Sequence, residues 1–132
     1  MTQLTNQEIF DKALFGIREQ GYEQSSRDYG CAYRGNGGLK CAVGHCIDDE
    51  TANSWDSIVG HGTSIVSMER YRKAEYEKFF SVHQLNLLTE LQRAHDGIWS
   101  VNGAPSFERE MKRIAERWNL TYTETTQTVT TL

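Results

Sequence analysis

Chemistry-bearing side chains concentrate in one stretch of the chain: Cys31, Cys41, His45-Cys46 and His61. If residues 39–47 form an α-helix, Cys41 and His45 are one turn apart on a shared face, the arrangement that two metal ligands require. Cys46 lies five residues from Cys41, about 140° round such a helix, and is expected to point into the core. Cys31, Cys41 and His45 would then be three ligands of a zinc site, with His61, an acidic side chain or water as the fourth. The spacing matches no common zinc pattern, so thiols packed as small hydrophobes is the favoured reading, with no cofactor. A third reading is nucleophilic: Cys41 follows a Gly-rich stretch near an expected helix start, which would favour its thiolate, with His95-Asp96 or His61 as partner. Asp96 is the immediate helix neighbour of His95 and is badly placed to orient that ring. His95-Asp96 also has the form of a metal-binding dyad, but no Asp or His follows Asp96 to complete a site. No catalytic residue is therefore assigned, and enzyme activity is left open with a leaning against it.

Two further patterns concern anions. Gly35-Asn36-Gly37-Gly38-Leu39-Lys40 offers backbone N–H groups, a lysine and an expected helix start, with Arg34 and Lys40 as counter-charges for a small nucleotide. It lacks phosphate-loop spacing, and a turn that reverses the chain is the simpler reading. Basic clusters at Arg70, Arg72, Lys73, Lys78 and at Lys112, Arg113, Arg117 are interleaved with glutamates and read as solvated helix faces with local ion pairs.

The elements that must position these groups are mostly helical. Thr5-Asn6-Gln7-Glu8 is a capping box, Ile9, Phe10, Ala13, Leu14 and Ile17 form one stripe, and Gly21 is a stop; this predicts a helix over 5–20. Residues 22–38 are rich in turn formers. They read as an irregular loop leading to a helix at Leu39, or as a short ribbon pairing Cys31–Arg34 with Leu39–Cys41 about Asn36-Gly37. The stretch 48–63 reads as loop with a short turn near Trp55, followed by a helical region of irregular spacing through Met68, Tyr71, Phe79 and Phe80. Ser81-Val82-His83-Gln84 caps a helix carrying Leu85, Leu88, Leu91 and His95. Pro105 suits the first turn of a helix over 105–118 with Phe107, Met111, Ile114 and Trp118 inward. Phe10, Leu14, Ile17, Leu88, Leu91, Met111, Ile114 and Trp118 are expected in one core.

The fold expected is mainly α: a single small bundle of about four helices over 1–120, with the Gly-rich loop or short ribbon between the first two and a Thr-rich, frayed tail over 121–132. A chain of 132 residues, 38% hydrophobic and 24% charged, can bury such a core. A formal net charge of −4 argues against general nucleic-acid binding. An odd number of cysteines, no apolar run of membrane-spanning length and no leader-like start point to a reducing cytoplasm, without membrane attachment.

Residues 31–47, Cys-Ala-Tyr-Arg-Gly-Asn-Gly-Gly-Leu-Lys-Cys-Ala-Val-Gly-His-Cys-Ile, together with Leu88-Thr89-Glu90-Leu91-Gln92-Arg93-Ala94-His95-Asp96, resemble segments of short bacteriophage and prophage proteins. Cys46 is not part of that pattern. The resemblance implies a small phage accessory protein in a bacterial cytoplasm, and it implies no activity. The expected function is binding of a bacterial host or defence component, as an inhibitor in host takeover or counter-defence or by sequestering a small signal molecule. A zinc-stabilised interaction module on Cys31, Cys41 and His45 is one alternative, and a small cysteine- or nucleotide-dependent enzyme another. The expected contact surface comprises Tyr33, Arg34, Lys40, Trp55 and His61, since Tyr, Trp and Arg carry large desolvable area and directed donors. Homo-oligomerisation is left open.

Overall fold

A computed structural model describes residues 3–24, 26–27, 30–58, 64–96 and 103–124, with backbone alone for 26–27, 30–31, 96 and 103. The chain is mainly helical. Among the described residues six α-helices follow in order: α1 (Asn6–Glu19), α2 (Asp49–Asp56), α3 (Ile65–Tyr71), α4 (Lys73–Tyr76), α5 (Leu85–Asp96) and α6 (Gly103–Trp118). Two strands of two residues each, β1 (Ser26–Arg27) and β2 (Gly30–Cys31), pair antiparallel with Ser26 opposite Cys31. None of the helices among the described residues is long and apolar enough to cross a membrane.

Helix α1 begins and ends as its sequence dictates. The Thr5 hydroxyl accepts from the Glu8 N–H (3.1 Å) and the Glu8 carboxylate accepts from the Thr5 N–H (2.8 Å). At the other end Tyr22 N–H donates to Ile17 O (2.9 Å) and Gly21 N–H to Arg18 O (3.0 Å), with Gly21 left-handed. The α5 cap is shared with α1: the Gln84 side chain accepts from the Ser81 N–H (2.9 Å) and donates to Leu4 O and Asn6 Oδ1. A 3-10 turn over Val82–Gln84 leads into α5. Pro105 lies in the first turn of α6.

The eight residues expected in one core all belong to it, with Trp118 partly buried against its edge. The inward stripes of α1, α5 and α6 meet there, which removes apolar surface worth about 25 cal/mol per Å² from water.

Three expectations are corrected. Residues 39–47 form no α-helix; a four-residue 3-10 turn spans Val43–Cys46. Part of its backbone is satisfied from outside: Gln92 of α5 accepts from the Val43 N–H (2.9 Å), and Arg34 donates to Gly44 O and to Ile47 O just beyond the turn. The ribbon weighed between 31–34 and 39–41 reduces to Gly35 N–H on Leu39 O (2.8 Å) around an exposed turn at Asn36–Gly38. Residues 49–56, read as loop, are helical because Asp48 caps the first turn through the Thr51 N–H (2.8 Å), Asp49 and Glu50 complement the helix dipole, and Ala52 and Trp55 are buried.

The start of the tail is anchored rather than frayed. Thr121 exchanges two hydrogen bonds with the Gln7 amide (3.0 and 2.9 Å), and Arg18 donates to Thr123 O (2.6 Å). The Glu108 carboxylate accepts from Arg18 twice (2.8 and 2.7 Å), from the Tyr22 hydroxyl (2.8 Å) and from the Tyr122 hydroxyl. Burial raises the Glu108 pKa, but these donors outweigh it and hold the carboxyl below its ordinary value. Burial, then the same carboxylate, pushes Tyr22 and Tyr122 up to about 12, so both phenols stay protonated as donors. Residues 125–132 lie outside the described residues.

Candidate functional site

The segment singled out by its cysteines and glycines folds into a packed node. The Asp56 carboxylate at the end of α2 accepts from the backbone N–H of Tyr33 and of Arg34, both at 2.9 Å. This fixes the two peptide units so that the Arg34 side chain turns inward. Its Nη1 donates to Tyr33 O (3.0 Å) and Gly44 O (2.8 Å), its Nη2 to Ile47 O (3.0 Å), and its Nε to Asp49 (2.8 Å). That hydrogen bond, first, and the guanidinium charge hold the Asp49 carboxyl below its usual range. Gly44 passes so close to this clamp that a Cβ there would sit 2.6 Å from Tyr33 O.

His45 is held on the other side of the turn. The Gln20 amide nitrogen donates to Glu23 O and Lys40 O, both at 2.7 Å, so its oxygen faces the Lys40 N–H (3.2 Å) and His45 Nε2 (3.0 Å). His45 Nε2 must therefore carry the proton. The ring lies on Gly16 of α1, where a Cβ would come within 2.4 Å of it. Burial, then the positive charges of Lys40, Arg34 and His95, lower its pKa to about 4.

This makes His45 a source of acid sensitivity. Its proton is bound by the unfolded chain near pH 6.5 and by the native state near pH 4. The stability it confers is full above pH 6.5 and drains away as pH falls toward 4. We expect a loss of about 1–2 kcal/mol across that window, after allowance for solvent screening of the half-buried ring. Urea denaturation at a series of pH values checks it: His45→Gln, which keeps a donor toward Gln20, should flatten the slope between pH 6.5 and 5, and an unchanged slope would reassign the effect.

The two described thiols, Cys41 and Cys46, are sealed. Cys46 is buried in the core, where its Sγ faces Ile9 O (3.6 Å) and Ala42 O (3.8 Å), and burial pushes the thiol up to about 12. Cys41 is 1% exposed and its Sγ accepts from the Gly44 N–H (3.3 Å). His95 is fully buried, donating from Nε2 to Glu23 O (3.1 Å) and packing edge-on to Phe107. Neither Cys41 nor His95 is open to a substrate in this conformation. The Cys31 side chain and His61 lie outside the described residues, among which no group of three His, Cys, Asp or Glu is placed to hold a metal.

The contact surface expected at Tyr33, Arg34, Lys40, Trp55 and His61 is not assembled by the described residues. Tyr33 and Trp55 are 1% and 0% exposed and stack edge to face at 5.2 Å, with Trp55 Nε1 donating to Glu75 (3.3 Å). Four of the five Arg34 donor positions are spent on the clamp. Lys40 is half-buried. Nor does the Gly-rich turn aim N–H groups at a phosphate, since no α-helix starts at Leu39. Among the residues quoted for the phage resemblance, Gln92 takes Val43 and Arg34 takes Gly44, while His95 takes Glu23 in the chain leaving α1.

Of the exposed large hydrophobic side chains among the described residues, Val66 and Tyr71 are on α3, Phe15 on α1 and Val82 in the turn before α5, and Tyr71 is the most exposed. Ser64 caps this helix through the Ser67 N–H (3.2 Å), and Ile65 and Met68 bury its inner face. At 100° per residue Val66, Arg70, Ser67 and Tyr71 then fan across an outward arc of about 140°. Tyr71 is 71% exposed and Val66 50%. The helix breaks at Arg72 (φ −131°, ψ 44°) before α4, whose Tyr76 is anchored on Ser81 O (2.7 Å). Lys73 is occupied by Glu69 (2.9 Å), whereas Arg70 and Arg72 are exposed and join no ion pair among the described residues. The basic cluster read as a solvated, internally paired face is thus paired at Lys73 and uncompensated at its two arginines. The signal available in the sequence was the triplet Arg70-Tyr71-Arg72 on a helix whose inner face needs only Ile65 and Met68. No protein-family model, curated protein or solved structure matches this chain.

Proposed function

We propose that this chain is a binding protein whose contact surface is the outer face of α3, centred on Tyr71 between Arg70 and Arg72, and that its partner presents an acidic surface. The observation that carries this reading is the exposure of Tyr71, flanked in the chain by Arg70 and Arg72, which are exposed and join no ion pair among the described residues. Tyr and Arg are the side chains that concentrate binding energy in interfaces, through desolvable area and directed charged donors. Val66 extends the apolar part of the patch. The resemblance of 31–47 and 88–96 to phage segments supports the wider setting: a phage accessory protein in the bacterial cytoplasm, acting on a host or defence protein. In this reading the protein inhibits by occupying its partner's surface.

A photo-crosslinking side chain at position 71, with position 112 on α6 as control, tests the proposal in bacterial lysate. A protein captured at 71 and not at 112 is then purified and titrated. We expect Tyr71→Ala to weaken binding about tenfold or more, and the pair Arg70→Ala and Arg72→Ala to flatten its salt dependence. Unchanged affinity in these variants would remove the surface. An activity lost in Cys41→Ser and retained in Tyr71→Ala would move the protein into the enzyme class.

A further inference from the structure

Away from α3, the seam between α5 and α6 opens into a cleft of about 420 Å³. That is the size range of pockets for small ligands, roughly 300–1,000 Å³. Its floor is apolar, formed by Ala94 and Ile114, both nearly buried. Three guanidinium groups line it: Arg93 from α5, and Arg113 and Arg117 from α6. Two carboxylates accompany them. Glu110 is paired with Arg113, and Glu90 accepts from Trp118 Nε1 (3.0 Å) and lies 3.5 Å from Arg117.

The charges are therefore unequal in availability. Glu90 already has two partners and Glu110 one, whereas Arg93 is exposed and joins no ion pair among the described residues. An anion entering the cleft meets one uncommitted guanidinium and two more that can rotate from their glutamates. The forked geometry of Arg favours a multi-oxygen anion such as a phosphate over a simple halide. The Ala94 and Ile114 floor offers a flat apolar group a place out of water, and the two carboxylates offer acceptors to ring or sugar donors.

We propose that the α5–α6 cleft binds a small phosphomonoester of nucleotide size, its phosphate on Arg93 with Arg113 or Arg117 and its ring over Ala94 and Ile114. This site is separate from the α3 surface and does not depend on it.

Isothermal titration of the full chain with adenosine and guanosine 5′-monophosphate, inorganic phosphate and the two nucleosides tests the assignment, at low and moderate salt. At least one nucleotide is expected to bind with a sub-millimolar Kd, tighter than phosphate and weakened by salt, while the nucleosides do not bind. Arg93→Ala should weaken that binding about tenfold or more, because a charged hydrogen-bonded contact is lost. Arg93 is exposed and its replacement should leave the unfolding midpoint unchanged, so lost binding is not lost folding. Absence of nucleotide binding at millimolar concentration, equal binding by Arg93→Ala, or binding of a nucleoside as tight as its nucleotide would each overturn the phosphate site. Phosphate binding as tightly as the nucleotides would overturn the placement of the ring.

Discussion

Replacing Arg34 by Ala is expected to destabilise the fold by about 3 kcal/mol and to lower the melting temperature by roughly 10–15 °C. The guanidinium serves three carbonyls, Tyr33 O, Gly44 O and Ile47 O, at 2.8–3.0 Å, from a side chain that is 14% exposed. Truncation takes the Arg34 donor from each of those carbonyls in a place where water enters poorly, and an unmade buried hydrogen bond costs more than a made one contributes. The ion pair with Asp49 adds little, since that carboxylate is open to solvent. Arg34→Lys should recover less than half of the loss, because one ammonium cannot fork toward carbonyls on two sides. Urea denaturation measures both variants. An unchanged midpoint with reduced partner binding would restore Arg34 to a contact surface.

The second large effect is expected at Gly44. A methyl group there would be placed 2.6 Å from Tyr33 O, 3.2 Å from Arg34 Nη1 and 3.4 Å from Cys41 Sγ. The nearest atom is backbone, and that backbone is pinned by Asp56, so it cannot yield at small cost. Gly44→Ala should cost about 2–3 kcal/mol. The edge-to-face stack of Tyr33 on Trp55 supplies a local reporter, and near-ultraviolet circular dichroism should lose intensity before the helices melt. Since Arg34 and Gly44 share one clamp, the double variant should lose less than the two single losses combined. Full additivity would mean that the two sites are independent.

The missed helix and the burial of Tyr33 and Trp55 have related causes. Helix α2 has two apolar anchors, Ala52 and Trp55, too few for periodicity to register, although Asp48 as cap and the acidic first turn did mark its start. Tyr33, Arg34 and Trp55 have the composition of a binding surface, and nothing local to them tells whether they face outward. Asp56, 22 residues beyond Arg34 in the chain, decides it by taking the Tyr33 and Arg34 N–H groups.

What this sequence determined by itself is the set of elements whose causes are local. The Thr5–Glu8 cap, the Gly21 stop, the stripe of α1 and that of α6 each depend on residues within a turn or two, and side chains three or four apart on a helix must share a face. Cys46 is buried, but the angular reasoning that placed it inward does not carry over, because Cys41 lies outside the 3-10 turn and is buried as well. Tertiary structure alone decided the state of residues 31–47, because their backbone groups are satisfied by Gln92, Asp56, Gln20 and the Arg34 side chain instead of by a ladder of their own. It also decided which arginines are spent and which stand open. Arg34, Arg70 and Arg93 are the same residue with the same charge, and what separates the clamp from the two exposed guanidiniums is the presence of carbonyls within 3 Å, a fact of three dimensions that no spacing along the chain records.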